Sequence, residues 1–337
     1  MEIPDYAKVR IARSCYLMIV LAAALTMAVN TLGADTPNAV GPSARIYVLD
    51  TGNHRVQVFN AKGVYRRQFT QSLDLPTGIA VKAGNVYVKD GNENCEVDRF
   101  GIEGKYILQF GMCANGTIGP GIFDNTGALA TTAAGNVWIT SPDFYYMQEF
   151  SKSGKFLRIV CMANVGVENC PPATSFDVQP FGITLDAKGN IYVTNVYPFS
   201  GGFNVVKFNG HGKYLATIGS AGNGDGQFND PEGIAIDSDG NIYVADSGNN
   251  RVEKFNEDGV YQSQFGSAGS GDGQFNSPVG IAFSADGQIY VTDVGNSRVE
   301  EFDGKGSYRG QFGSYGQGNG EFSNPLGIAI HQPSTGR

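Results

Sequence analysis

Lysine and arginine are scarce in this chain and form no run along it. Twenty-four of them stand against 32 aspartates and glutamates in 337 residues, for a formal net charge of −8 and a pI near 4.9. A partner recognised through phosphate needs a basic surface, so nucleic acid is set aside. Histidine is scarcer still, with only His54, His211 and His331, and the five cysteines include no CxxC pair and no common zinc spacing. The glycine-rich runs Ala221–Gln227 and Ala268–Gln274 lead into neither GK[ST] nor a helical pattern, which removes the phosphate-loop reading. The DSDGN segment at 237–241 begins like a calcium loop but lacks the later acidic ligands, and reads as a hairpin turn.

What the chain has in abundance is glycine, 47 residues of it, set between short alternating apolar runs. Two stretches are close copies: PEGIAIDSDGNIYVADSGNNRVEKF from Pro231 to Phe255, and PVGIAFSADGQIYVTDVGNSRVEEF from Pro278 to Phe302. The glycine of the GIA-type segment recurs at Gly78, Gly127, Gly182, Gly233, Gly280 and Gly327, in steps of 49, 55, 51, 47 and 47 residues. Each unit holds four short runs of period two, such as Ile234–Ile236, Ile242–Ala245, Val252–Phe255 and Val260–Phe265, and these are strands. Asp239-Gly240, Asp286-Gly287 and Asp258-Gly259 mark tight hairpin turns between them. A four-stranded antiparallel meander repeating every 40 to 50 residues is the size of a propeller blade.

The first unit, Arg45–Asp50, Val56–Phe59 and Val64–Phe69, lacks a GIA strand, and the chain ends with an unpaired one at Gly327–Ile330. The expected fold is therefore all-β: a six-bladed propeller whose C-terminal strand completes the first blade and leaves no open edge. The recurring pattern GQF-x-x-P-x-GIA…DG-x-IYV-x-D-x-GN-x-RV-x-x-F…QFG resembles the NHL repeat family over roughly residues 41 to 331, and most closely in blades 1, 5 and 6. That resemblance implies the same six-bladed propeller.

Residues 1–34 are of a different kind. Lys8, Arg10 and Arg13 precede an apolar stretch, Tyr16 to Val29, followed by small and polar residues, the layout of a secretory signal with cleavage after Gly33 or Ala34. A signal anchor is the alternative, although about 14 apolar residues fall short of the roughly 20 that span a bilayer. Residues 35–44 form a linker, 45–332 the propeller and 333–337 a tail. Export agrees with the cysteines: with Cys15 in the leader, the remaining four are expected to pair as Cys95–Cys113 and Cys161–Cys170.

In such a meander the loops between second and third strands emerge on the same face as the linkers between blades, and the hairpin turns emerge on the other. The residue before each GIA glycine then rings one mouth of the axial channel: Thr77, Thr126, Phe181, Glu232, Val279 and Leu326. Peptidylglycine amidating lyases, which have related repeats, bind zinc through histidines at that position, and no histidine stands there in this chain. Gluconolactonase-like esterases hold calcium or zinc with acidic and amide side chains around the channel, and Glu232 is the one carboxylate so placed. Asp50, Asp246 and Asp293 precede Arg55, Arg251 and Arg298 by five residues and read as structural pairs that fix each loop.

Departures from the repeat fall in blades 2 to 4. Blade 2 gains a residue at Asn92–Cys95, blade 3 carries Ser141–Tyr146 in place of DSGNNR, and blade 4 lengthens the loop to Asn195–Asn204. The linkers Met112–Ile122 and Met162–Ser175 diverge as well. The aromatic residues Phe144, Tyr145, Tyr146, Tyr197, Phe199 and Phe203 are the recognition candidates, because rings supply contact area at low entropic cost. The expectation is an exported, monomeric binding or scaffold module for a protein, peptide or glycan, without cofactor and apart from the membrane unless the leader stays uncleaved. The alternative is a calcium- or zinc-assisted lyase or lactonase with its site at Glu232.

Overall fold

The computed structural model describes residues 44–91, 95–113, 118–163, 167, 170, 172–175, 177–197 and 202–332. Six antiparallel four-stranded sheets form a ring. The innermost strands are Pro325–His331, Pro76–Lys82, Leu129–Thr131, Pro180–Leu185, Pro231–Ile236 and Pro278–Phe283, in blades 1 to 6 respectively. Blade 1 is closed as expected. Pro325–His331 pairs with Arg45–Asp50 in the register Arg45 to His331, Ile46 to Ile330 and Tyr47 to Ala329.

Rings pack the linkers that enter blades 1, 3, 5 and 6. Phe275, in the linker entering blade 6, packs at 5.5 Å from Phe302 of that blade, and Phe265 of blade 5 lies 4.7 Å from the same ring. Phe228, Phe322 and Phe123 repeat the arrangement against Phe255, Phe59 and Phe150. These four linker phenylalanines are fully buried. Each ring contact adds about 0.5–1.5 kcal/mol beyond the area it covers.

Near the axis the inner strands nearly touch, and that is why the GIA segment carries glycine. A Cβ on Gly233 would lie 1.9 Å from the Val279 carbonyl oxygen of the next blade. The turns differ in detail from the Asp-Gly expectation. The leading Asp237, rather than Asp239, organises its turn: its carboxylate accepts the N–H groups of Asp239 and Asn241 at 2.9 Å each, and Gly240 closes the turn at φ 88°.

Candidate functional site

The loops between second and third strands share one face with the linkers between blades, here the loop face; the hairpins form the turn face. In blades 1, 5 and 6 an arginine holds the loop face together. Arg251 donates through Nε to Asp246 at 2.8 Å and through Nη1 to Gln264 at 2.7 Å. Its Nη2 donates to the carbonyls of Gly224 and Gln227 at 2.8 and 2.7 Å, in the linker entering blade 5. Arg298 and Arg55 do the same for the linkers entering blades 6 and 1. The AGNGDGQ-type runs therefore turn their carbonyls toward a guanidinium, which is the opposite of a phosphate cradle. The expected Asp–Arg pairs are present, and the reach of each arginine into the linker was not legible from the five-residue spacing.

Blades 2, 3 and 4 have Glu96, Tyr146 and Asn204 at the arginine's register. Tyr146 is accordingly removed from the recognition set: it is fully buried, and its hydroxyl donates to the Ile122 carbonyl of the entering linker at 2.7 Å. It performs the arginine's linker contact with a neutral group. In blade 2 the substitution leaves Asp90, Glu96 and Asp98 buried together without a guanidinium. Asp90 accepts the N–H groups of Asp74 and Leu75 at 2.8 and 2.6 Å. Neither carboxyl oxygen of Asp98 has a hydrogen-bond partner among the described residues, and burial, then the charges of Glu96 and Asp90, push its pKa up to about 8.

A second departure in blade 2 is Lys89, fully buried, whose Nζ donates to the carbonyls of Asp124, at 2.7 Å, and Thr126. Burial pushes Lys89 down and its neighbour Asp124 up to about 7, with the two charges partly restoring each other at 3.6 Å. The corresponding residue in blades 3, 4 and 6 is a threonine. Thr194 accepts the Gly182 N–H and donates to the Glu232 carbonyl, both at 2.8 Å, and Thr140 and Thr292 make the same bridges to Phe181 and Leu326. Each bridge locks one blade to the next.

The axial channel, about 280 Å³, is lined at this mouth by Thr77, Phe181, Glu232, Val279 and Leu326. Thr126 is absent from that lining: the inner strand of blade 3 begins only at Leu129, and the Thr126 carbonyl is held by Lys89. Below the mouth the lining includes Ile79, Ile183, Ile234, Ile281 and Ile328 together with Thr131 and Thr184. The carbonyls of Phe181, Glu232 and Leu326 are already engaged by threonines. No group of three or more His, Cys, Asp or Glu side chains placed to hold a metal occurs among the described residues. The histidines do not converge: His54 follows a loop-face turn, His211 lies in a turn-face hairpin and His331 ends the closing strand.

Among the recognition candidates, Tyr145 and Tyr197 meet edge to face at 5.8 Å, joining the loops of blades 3 and 4. Both are half-buried. Burial, followed by the charges of Tyr197, Asp177 and Asp143, pushes the Tyr145 hydroxyl up to about 12. Phe144 is half-buried and packs on Tyr146 at 5.6 Å. Phe203 turns inward against the core shared by blades 4 and 5, and Phe199 lies outside the described residues. Two disulfides, Cys95–Cys113 and Cys161–Cys170, stand beside these loops. Cys161 ends the outer strand of blade 3.

Exposed positive charge is confined to one of the two faces. The loops and linkers of the loop face contain no lysine or arginine in any blade, and they display Asp74, Asp143, Asp177, Asp225 and Asp272. Four cations lie at the strand ends beneath, Arg55, Lys89, Arg251 and Arg298, and all four are buried. The remaining lysines and arginines of the propeller lie toward the turn face. No sequence-local basic cluster exists, yet the fold assembles a basic arc from residues dispersed along the chain.

Three segments, 39–59, 228–255 and 275–302, match the NHL repeat model. They fall in blades 1, 5 and 6, where the arginine is present. No curated protein matches the sequence. Among solved structures, the nidogen/laminin complex aligns with a TM-score of 0.62 at 14% identity, over 86% of this chain and 98% of that one. A protein of unknown function from Bacteroides caccae aligns with a TM-score of 0.62 at 14% identity, over 87% and 100%. Virginiamycin B lyase from Staphylococcus aureus aligns with a TM-score of 0.52 at 18% identity, over 75% and 73%. At these identities the likeness concerns the fold. No helix among the described residues is long and apolar enough to cross a membrane.

Proposed function

Taking as premise a chain whose NHL repeats close into a six-bladed propeller, we propose that it is an exported binding module that recognises a protein or peptide through the loop face of blades 2 to 4. The observation that carries this reading is the Tyr145–Tyr197 contact, which joins two off-pattern loops on a face without exposed lysine or arginine. Paired, partly exposed rings are suited to anchor a partner, and the surrounding carboxylates favour one of positive charge. The two disulfides support export, because such bonds persist in oxidising compartments. A propeller of this architecture also occurs in the nidogen/laminin complex. The test is a pull-down from the native extracellular milieu with wild type and with Tyr145→Ser/Tyr197→Ser. Loss of a salt-sensitive partner in the double variant supports the reading; an unchanged set of partners overturns it.

The likeness to virginiamycin B lyase favours a second reading, metal-assisted lyase or lactonase chemistry at Glu232. Calorimetry with calcium and zinc separates the two. Stoichiometric binding that Glu232→Ala abolishes would favour the enzyme.

A further inference from the structure

The basic arc on the turn face belongs to neither reading above. Each outer strand of blades 2, 3 and 4 opens with an aromatic residue and an aliphatic one, directly preceded by a lysine: Lys105-Tyr106-Ile107, Lys155-Phe156-Leu157 and Lys213-Tyr214-Leu215. Ile107, Leu157 and Leu215 are each the extra residue of a β-bulge, exposed alongside the lysine while the ring between them packs against the core. Lys105, Lys155 and Lys213 are exposed, and the aliphatic residues are 44%, 41% and 46% exposed. None of the three ammonium groups forms an ion pair among the described residues. Exposed aliphatic side chains beside lysines, at the same corner of three consecutive blades, form a repeated amphipathic edge.

The neighbouring charges define how far this edge extends. Glu103, the acid nearest Lys105 in sequence, is paired with Arg45 and Arg67, and Asp186 is held in its own turn by Asn190. Lys62 extends the arc onto blade 1. Blades 5 and 6 end it with Asp237, Asp239, Asp258 and Asp286, and Glu257 faces Lys188 at 3.0 Å.

We propose that this corner of the turn face docks on an anionic lipid surface. Phospholipid headgroups complement the lysines, and the interfacial zone accepts Ile107, Leu157 and Leu215; a soluble polyanion would use the lysines and gain nothing from the aliphatic residues. Docking here turns the loop face away from the bilayer.

The test uses residues 43–337, whose ring is closed entirely by its own strands, so that the apolar stretch Tyr16–Val29 plays no part. Co-sedimentation is measured with vesicles of phosphatidylcholine alone and of phosphatidylcholine with phosphatidylglycerol. Binding is expected only with the anionic lipid, weakening with salt and falling at least about tenfold in Lys105→Glu/Lys155→Glu/Lys213→Glu. Ile107→Ser/Leu157→Ser/Leu215→Ser should also weaken it while leaving the salt dependence in place. Thermal melts establish that each exposed-site variant is folded. Absence of binding to the anionic vesicles, unaltered binding in the lysine variant, or binding to heparin or RNA that exceeds binding to vesicles would each overturn the proposal. The loop-face reading is unaffected by any of these outcomes.

Discussion

Blades 1, 5 and 6 share a backbone plan with blades 2, 3 and 4 and differ in how each blade holds the linker entering it. In the first group an arginine joins an aspartate to two linker carbonyls. In the second the same position holds an acid, a phenol or an amide, and the two disulfides tie down linker segments nearby. The regular half is fastened by charge-assisted hydrogen bonds that any copy of the repeat can supply. Where that fastening is absent, the loops vary in length and sequence, and covalent links stand beside them instead.

The largest test of this contrast concerns the strand that makes the regular half continuous. Deleting Pro325–Arg337 removes the inner strand of blade 1, and circular dichroism should show a melting temperature lower by more than about 10 °C, or no cooperative transition. A loss of only two or three degrees would mean that the ring does not depend on closure. Arg251→Met is next. It leaves Asp246 and Glu253, both fully buried and at 2.8 and 3.1 Å from the guanidinium, without their cation, at a cost of about 3–5 kcal/mol in denaturant unfolding. A cost below about 1 kcal/mol would remove the arginine as the distinction between the halves.

Cysteine supplies a smaller and local effect. Cys95→Ser/Cys113→Ser should lower stability by about 3 kcal/mol, with hydrogen-exchange protection lost around blade 2 and retained in blades 5 and 6. Uniform loss around the ring would argue against two separately fastened halves. The smallest effect is set by pH. Asp98 has a folded-state pKa raised to about 8, so its contribution is fully present below the unfolded value and is lost as pH rises through about 8. Wild type should thus melt at lower temperature at high pH than at mildly acidic pH. Asp98→Asn should raise the melting temperature at high pH by on the order of a few degrees and flatten the dependence. An unchanged pH profile in the variant would show that this carboxyl does not titrate in that window.

Much of the architecture was legible because propeller packing repeats its own sequence. The spacing of Gly78, Gly182, Gly233, Gly280 and Gly327 marks the inner strands, and the orphan strand at the C-terminus marks closure. The period was misleading only at Gly127, where Lys89 intrudes from blade 2 and the inner strand begins two residues later. The candidate site was legible in part. Off-pattern loops located Tyr145 and Tyr197, but the same rule chose Tyr146, because a residue that replaces a buried arginine looks in sequence like one that replaces a surface loop. Its position next to Met147 at the start of a strand, in register with Arg251, was the available signal. The confinement of exposed positive charge to one face was invisible along the chain, since lysines about 50 residues apart become neighbours only when blades stack.

The pairing of Arg45–Asp50 with Pro325–His331 also imposes an order on how the molecule comes into being. The blade that begins first is completed last: strand Arg45–Asp50 has its inner partner only after the strands of the other five blades have been made. Until then Ile46 and Val48 sit on an unpaired edge, able to join any other free strand, and five finished blades wait on seven residues. That edge has to be kept apart from other chains for the whole interval between the first strand and the last.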